Sequence, residues 1–117
     1  MGYQGSKRVH LNNFTLTVEG AEPNQFAHFF YGSEPQSQSM FSLGSGRLCV
    51  GGSIVRFVPG GLTDAQGFMS RHVDLPATLS TPNPILGGST FFFQAWFRSP
   101  TAIGSNSSNG LIVTFCD

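Results

Sequence analysis

Charge is scarce in this 117-residue sequence. Six Lys or Arg and six Asp or Glu, 10% of the chain, cancel to a formal net charge of zero, against a usual charged share of about 25%. Without a basic stripe nothing is present to neutralise a phosphate backbone, which argues against nucleic acid as a partner. No polybasic patch offers itself to an anionic membrane surface. Long apolar runs are missing too: no stretch of about 18 uninterrupted apolar residues occurs, so no membrane insertion is expected. The opening MGYQGSKRVH lacks the apolar core of a signal peptide.

Cysteine is almost as rare. Cys49 and Cys116 are the two copies, and no C-x-x-C or Cys/His ligand cluster accompanies them, so a structural zinc site is not expected. Both sit in apolar segments, RLCVGG and LIVTFCD. If those segments form neighbouring strands, a disulfide closing roughly 70 residues adds on the order of 4 kcal/mol; otherwise the two are buried, reduced thiols.

Polar aromatics are few, with one Trp and two Tyr, whereas Phe occurs 12 times. Phe has no polar tip for a wet surface, so most of this aromatic load belongs in a core. Helical periodicity is absent: no window of about 11 residues repeats apolar positions at i, i+3 and i+4 between competent caps.

What is present alternates. In NNFTLTVEG, Phe14, Leu16 and Val18 interleave with Thr15, Thr17 and Glu19, the period of a half-buried strand. In QFAHFFYG, Phe26, His28 and Phe30 face one way and Ala27, Phe29 and Tyr31 the other, so a central strand is expected. RLCVGGSIVRFVP reads as two strands broken at Gly51-Gly52, by a hairpin or a bulge. FMSRHVDLP sets Ser70, His72 and Asp74 against Met69, Arg71 and Val73. PATLSTPNPILGGS reads as a Pro-rich connection, TFFFQAWFRS as a long strand, PTAIGSNSSNG as a flexible loop and LIVTFC as a closing strand. Turn residues recur about every 8–12 positions, the spacing of a sandwich or barrel. The expectation is an all-β fold: a single-domain antiparallel β-sandwich, jelly-roll or Greek-key-like, of about seven or eight strands over residues 11–117. Residues 1–10 read as a flexible N-terminal segment or an expression remnant.

Catalytic signatures do not assemble. No G-x-S-x-G elbow occurs, and GSGR, GGSI and GGST lack its spacing. His28 lies between apolar neighbours and reads as a satisfied core or inter-sheet histidine. His72 and Asp74 share a strand face and could meet, yet His10 is the only histidine left to complete a ligand set. Glu19, Glu22, Glu34, Asp64, Asp74 and Asp117 suggest neither a glycosidase pair nor a calcium loop. No phosphate-binding glycine motif is present. An enzyme, a metal site and a cofactor are therefore not expected.

Three clusters in order, GAEPNQFAHFFYGSEPQSQSMFSLGSGRLCVGG, IVRF, and GSTFFFQAWFRSP leading to SNGLIVTFCD, resemble a C-terminal module of secreted and surface proteins of planctomycetes, myxobacteria and related bacteria. Its pattern runs PNQFGLFFYG, then G-x-G-x-x-CVGG and an arginine, then GSTxxFQxWYRDP and a terminal VTFCP. The likeness spans about residues 11–117. It carries over to Asn24, Gln25, Phe29, Phe30, Tyr31, Gly32, Cys49, Arg56, Gln94, Trp96, Arg98, Pro100, Phe115 and Cys116. It implies an extracellular or cell-surface β-sandwich with Cys49 and Cys116 as a disulfide pair, and no particular chemistry. Two departures stand out. Phe97-Arg98-Ser99-Pro100 replaces Tyr-Arg-Asp-Pro, which removes an acid from beside the arginine, and Asp117 replaces the final Pro.

Two functions follow from these readings. One is a non-catalytic structural or adhesive module that self-associates into an oligomer or filament, as near-zero charge and few edge charges allow. The other is a polysaccharide-binding module. Along TFFFQAWFRS, Phe91, Phe93, Ala95 and Phe97 are uniformly apolar and read as core, while Phe92, Gln94, Trp96 and Arg98 share the opposite face. Gln94, Trp96 and Arg98, with Tyr31, are the candidate binding residues.

Overall fold

The computed structural model describes residues 1–35, 42–43, 46–100 and 104–117. The period-two segments fold as strands, and no α-helix forms among the described residues. Two ten-residue strands organise the domain, β3 (Phe26–Pro35) and β9 (Thr90–Ser99), which pair antiparallel with His28 opposite Trp96 and Phe30 opposite Gln94. On the far side of β3 lie β6 (Val50–Arg56) and the short β7 (Gly61–Leu62). The far side of β9 is shared by β10 (Gly104–Ser107) and β11 (Leu111–Thr114), completing a six-stranded sheet. A three-stranded sheet of β1 (Gly2–Gln4), β2 (Thr15–Val18) and β8 (Met69–His72) forms the second layer. The remaining pair is a small hairpin, β4 (Ser42–Leu43) with β5 (Gly46–Arg47), lying close to β10.

Phe14, Leu16, Val18, Met69 and Val73 from the small sheet meet Ala27, Phe29, Tyr31, Phe91, Phe93, Ala95 and Phe97 from the large one in a single apolar core. Ring contacts stitch the layers: Phe14 lies 5.8 Å from Phe93 and 5.0 Å, edge-on, from Phe115. Each fully buried Phe stabilises the fold by roughly 1.5–3 kcal/mol through area removed from water. The fold is an antiparallel β-sandwich, as the alternation indicates.

Several local expectations are refined. The break at Gly51-Gly52 is a bulge: the register passes from Gly32↔Ile54 to Glu34↔Gly51, two residues on β3 against three on β6. Gly52 takes the positive φ of 74° this requires. The Pro-rich connection contains a 3-10 turn over Pro76–Ser80, held where the buried Thr78 hydroxyl donates to the Leu75 carbonyl and accepts the Ile85 N–H. Polar residues 104–107, expected as loop, are drawn into β10 by the backbone groups of β9, because ladder hydrogen bonds outweigh weak strand propensity. Within the supposedly flexible first ten residues, Gly2–Gln4 pair with β2 and the Tyr3 ring stacks on Phe14 at 5.1 Å.

Candidate functional site

The small sheet covers one face of the large sheet, and the register sets out the other in rows. Ile112, Phe92, Gly32 and Ile54 lie abreast across β11, β9, β3 and β6. Gln94, Phe30 and Arg56 form the next row, then Ser107, Trp96 and His28, then Ser105 and Arg98. Alternation dictates this arrangement, since each of these positions is one residue out of phase with a core position.

On this outer face the aromatic side chains form one continuous stripe. His28 stacks on Trp96 at 5.3 Å between centroids, and Phe26 meets the same indole edge-on at 6.3 Å. Phe30 continues the stripe 6.1 Å from His28. The Arg98 guanidinium lies over the Trp96 ring, 6.0 Å from its centroid. Around the stripe is a cavity of about 390 Å³ lined by His28, Phe30, Leu48, Ile54, Arg56 and Trp96. Burial first, and the Arg56 charge second, hold the His28 imidazole below its ordinary pKa of 6.5. At neutral pH it is therefore an uncharged ring with one donor and one acceptor nitrogen.

One wall of the cavity comes from the chain returning from the β4–β5 hairpin. Gln94 is fully buried although it points to the outer face. Its Oε1 accepts the Cys49 N–H at 2.9 Å, and its Nε2 donates to the Ser108 carbonyl at 2.7 Å. The segment around Cys49 therefore crosses over β9 between the hairpin and β6, and carries Leu48 to the cavity rim. Close approach is enabled at Gly32, where a Cβ would stand 2.4 Å from the Gly51 carbonyl oxygen and 2.7 Å from a Val50 methyl.

The structure divides the four sequence-derived binding residues. Trp96 and Arg98 do come together on the accessible face. Gln94 shares their face, but its Oε1 holds the crossing segment at Cys49 and its Nε2 the Ser108 carbonyl between β10 and β11. Tyr31 is on the opposite, core face with no solvent exposure, its hydroxyl donating to the Asn83 carbonyl at 2.7 Å and its ring stacked on Phe57 and Phe93. It shares the phase of Ala27 and Phe29, which sets it inward, apart from Trp96 and Arg98. His28, read as a core or inter-sheet histidine, is a partly exposed member of the site, and Arg56 and Phe30 join it through cross-strand register with β6.

The expected disulfide is also corrected. Neither cysteine forms a disulfide. Cys49 sits against Gly110, just before β11, where a Cβ on the glycine would lie 3.1 Å from that of Cys49. Cys116 follows the other end of β11 and exchanges backbone hydrogen bonds with Lys7 and Val9. Six residues of extended chain from Gly110 to Cys116, at about 3.3 Å each, hold the cysteines about 20 Å apart, whereas a disulfide needs Cα atoms within about 4.4–6.8 Å.

His72 and Asp74 are engaged in a loop tie. His72 Nε2 donates to the Asn12 carbonyl at 2.8 Å, and Asp74 accepts from the Asn12 amide at 3.3 Å, bracing Asn12 in its left-handed conformation. Among the described residues no three of His, Cys, Asp and Glu gather as metal ligands, and no helix is long and apolar enough to cross a membrane. Comparison with family models, with characterised proteins and with solved structures finds no match for this chain.

Proposed function

We propose that this chain is a non-catalytic polysaccharide-binding module, extracellular as the family resemblance implies, whose adhesion runs through the outer face of the large sheet. The observation that carries the reading is the cavity of about 390 Å³ floored by His28, Phe30 and Trp96 and walled by Arg56. Aromatic surfaces take the C–H faces of pyranose rings, while imidazole and guanidinium N–H groups take hydroxyl oxygens. Among the described residues, every side chain lining the cavity is a ring, an aliphatic group, an imidazole or a guanidinium, a set suited to holding a ligand rather than cleaving it.

The test is binding to a panel of immobilised polysaccharides by wild type and Trp96→Ala, with circular dichroism confirming both are folded. Retention of at least one polymer by wild type, weakened about tenfold or more in the variant, is the expected outcome. A folded wild type that retains none of them overturns the reading.

Self-association is the second reading. It is supported by the apolar row through Ile112, 66% exposed, and Ile54, 44% exposed, on the same outer face. Sedimentation velocity across concentrations tests it, with Ile112→Lys expected to abolish any oligomer; a monomer at every concentration rejects it.

A further inference from the structure

The aromatic stripe is bounded by a cation at each end. Arg98 lies over Trp96, Trp96 stacks with His28, His28 abuts Phe30, and Phe30 is the cross-strand neighbour of Arg56. Two strand spacings sideways and four residues lengthwise put the Cα atoms of Arg98 and Arg56 about 17 Å apart. That span suits a chain of sugar units rather than one. Both arginine residues are exposed, and neither guanidinium forms a hydrogen bond or ion pair with another described residue. Of the six acidic residues none lines the cavity. In a chain with so few charges, two unneutralised guanidinium groups at the ends of one aromatic stripe form a local field attractive to anions.

We infer that the ligand of this face is an acidic oligosaccharide, a run of uronate-type sugars whose ring-borne carboxylates pair with Arg56 and Arg98 while the intervening rings lie over Trp96 and His28, with the buried Phe30 supporting them from below. The inference rests on the polysaccharide-binding reading and narrows its ligand class. Guanidinium is the side chain best matched to a carboxylate, because its planar fork donates two parallel hydrogen bonds. The aromatic floor between the two cations discriminates a sugar polymer from a generic polyanion, which has no C–H face to lay on the rings.

The experiment measures affinity of the intact chain for polygalacturonate, for its fully methyl-esterified form, and for poly-L-glutamate as a carboxylate polymer without sugar rings. Arg56→Gln and Arg98→Gln are assayed beside wild type. Polygalacturonate is expected to bind at least about tenfold more tightly than either comparison polymer, to weaken with added salt, and to lose about tenfold with each arginine variant. Equal affinity for the methyl-esterified polymer overturns the acidic assignment yet leaves the polysaccharide reading standing. Equal affinity for poly-L-glutamate overturns the sugar assignment. Failure to bind any of the three, with another polysaccharide retained on the panel, overturns the uronate class alone. Both substituted side chains are exposed, so folding is not at issue, and unchanged affinity in both variants is a rejection.

Discussion

Gln94 and Cys49 are joined across the outer face of the large sheet: the Gln94 Oε1 accepts the Cys49 backbone N–H at 2.9 Å, from a side chain with no solvent exposure. The same amide donates to Ser108 at 2.7 Å. One side chain thus pins the segment that forms the cavity rim to the strand that forms its floor. Gln94→Leu removes both hydrogen bonds from part-buried backbone groups, at about 1–3 kcal/mol for each group that stays unmatched. Chemical denaturation should show a loss of about 2 kcal/mol or more. Alkylation of Cys49 should accelerate while that of Cys116 does not. A stable variant with unchanged Cys49 reactivity would show that the pin is dispensable.

How much of this was legible in the sequence depends on the range of the cause. Alternation is local, so it correctly placed Phe91, Phe93, Ala95 and Phe97 in the core and Trp96 with Arg98 outside. Tyr31 carried the same signal, since its phase matches Ala27 and Phe29, but its polar tip drew it into the candidate site. Gln94 reads as a surface residue by polarity alone. Its burial depends on a backbone N–H 45 residues away, which no local window contains. Arg56 and Trp96 share a cavity because β3 stands between their strands, a fact of register rather than of pattern. The cysteines mislead for the same reason: each lies by an end of β11, but not the same end.

At Gly32, β3 lies close against the bulged start of β6. A methyl group there would stand 2.4 Å from the Gly51 carbonyl oxygen, backbone that cannot rotate away. Gly32→Ala should therefore destabilise by about 1–3 kcal/mol, the usual cost of overpacking. Gly20→Ala is the control, because nothing lies within 4 Å of a Cβ at that position, and its positive φ of 71° adds only backbone strain. Thermal unfolding of both variants decides it: a Gly32→Ala midpoint at or above that of Gly20→Ala contradicts the close packing.

The two cysteines make a separate prediction. Cys116 is exposed and Cys49 only partly so, so a thiol reagent should label Cys116 faster in the folded protein, and both cysteines after unfolding. Reduction should leave the intact mass unchanged, and Cys49→Ser with Cys116→Ser should lower the melting midpoint by no more than a few degrees. A gain of two hydrogens on reduction, with a loss of stability on the order of 4 kcal/mol, would instead reveal a pairing that closes the large loop.

His28 predicts a pH dependence whose sign is fixed by its surroundings. Burial, and then the Arg56 charge from β6, lower its pKa below 6.5; Arg98 from β9 adds a second cation beyond Trp96, and no carboxylate lines the cavity. The unfolded chain therefore takes up a proton at this position at a higher pH than the folded one does. Linkage then requires that stability be complete above pH 6.5, fall as pH drops through 6.5, and level off below the folded-state pKa, where both states are protonated. His28→Gln removes this contribution while its lost ring stacking lowers the melting midpoint throughout. Melting midpoints measured from pH 8 to pH 5 should accordingly fall more steeply for wild type than for His28→Gln. Parallel curves would mean that His28 titrates alike in both states and that the cavity exerts neither of the two effects. Because protonation places a further positive charge on the stripe, binding of an acidic polymer should tighten over the same interval in wild type and stay flat in the variant, so long as the pH remains above the range where the polymer's own carboxylates protonate.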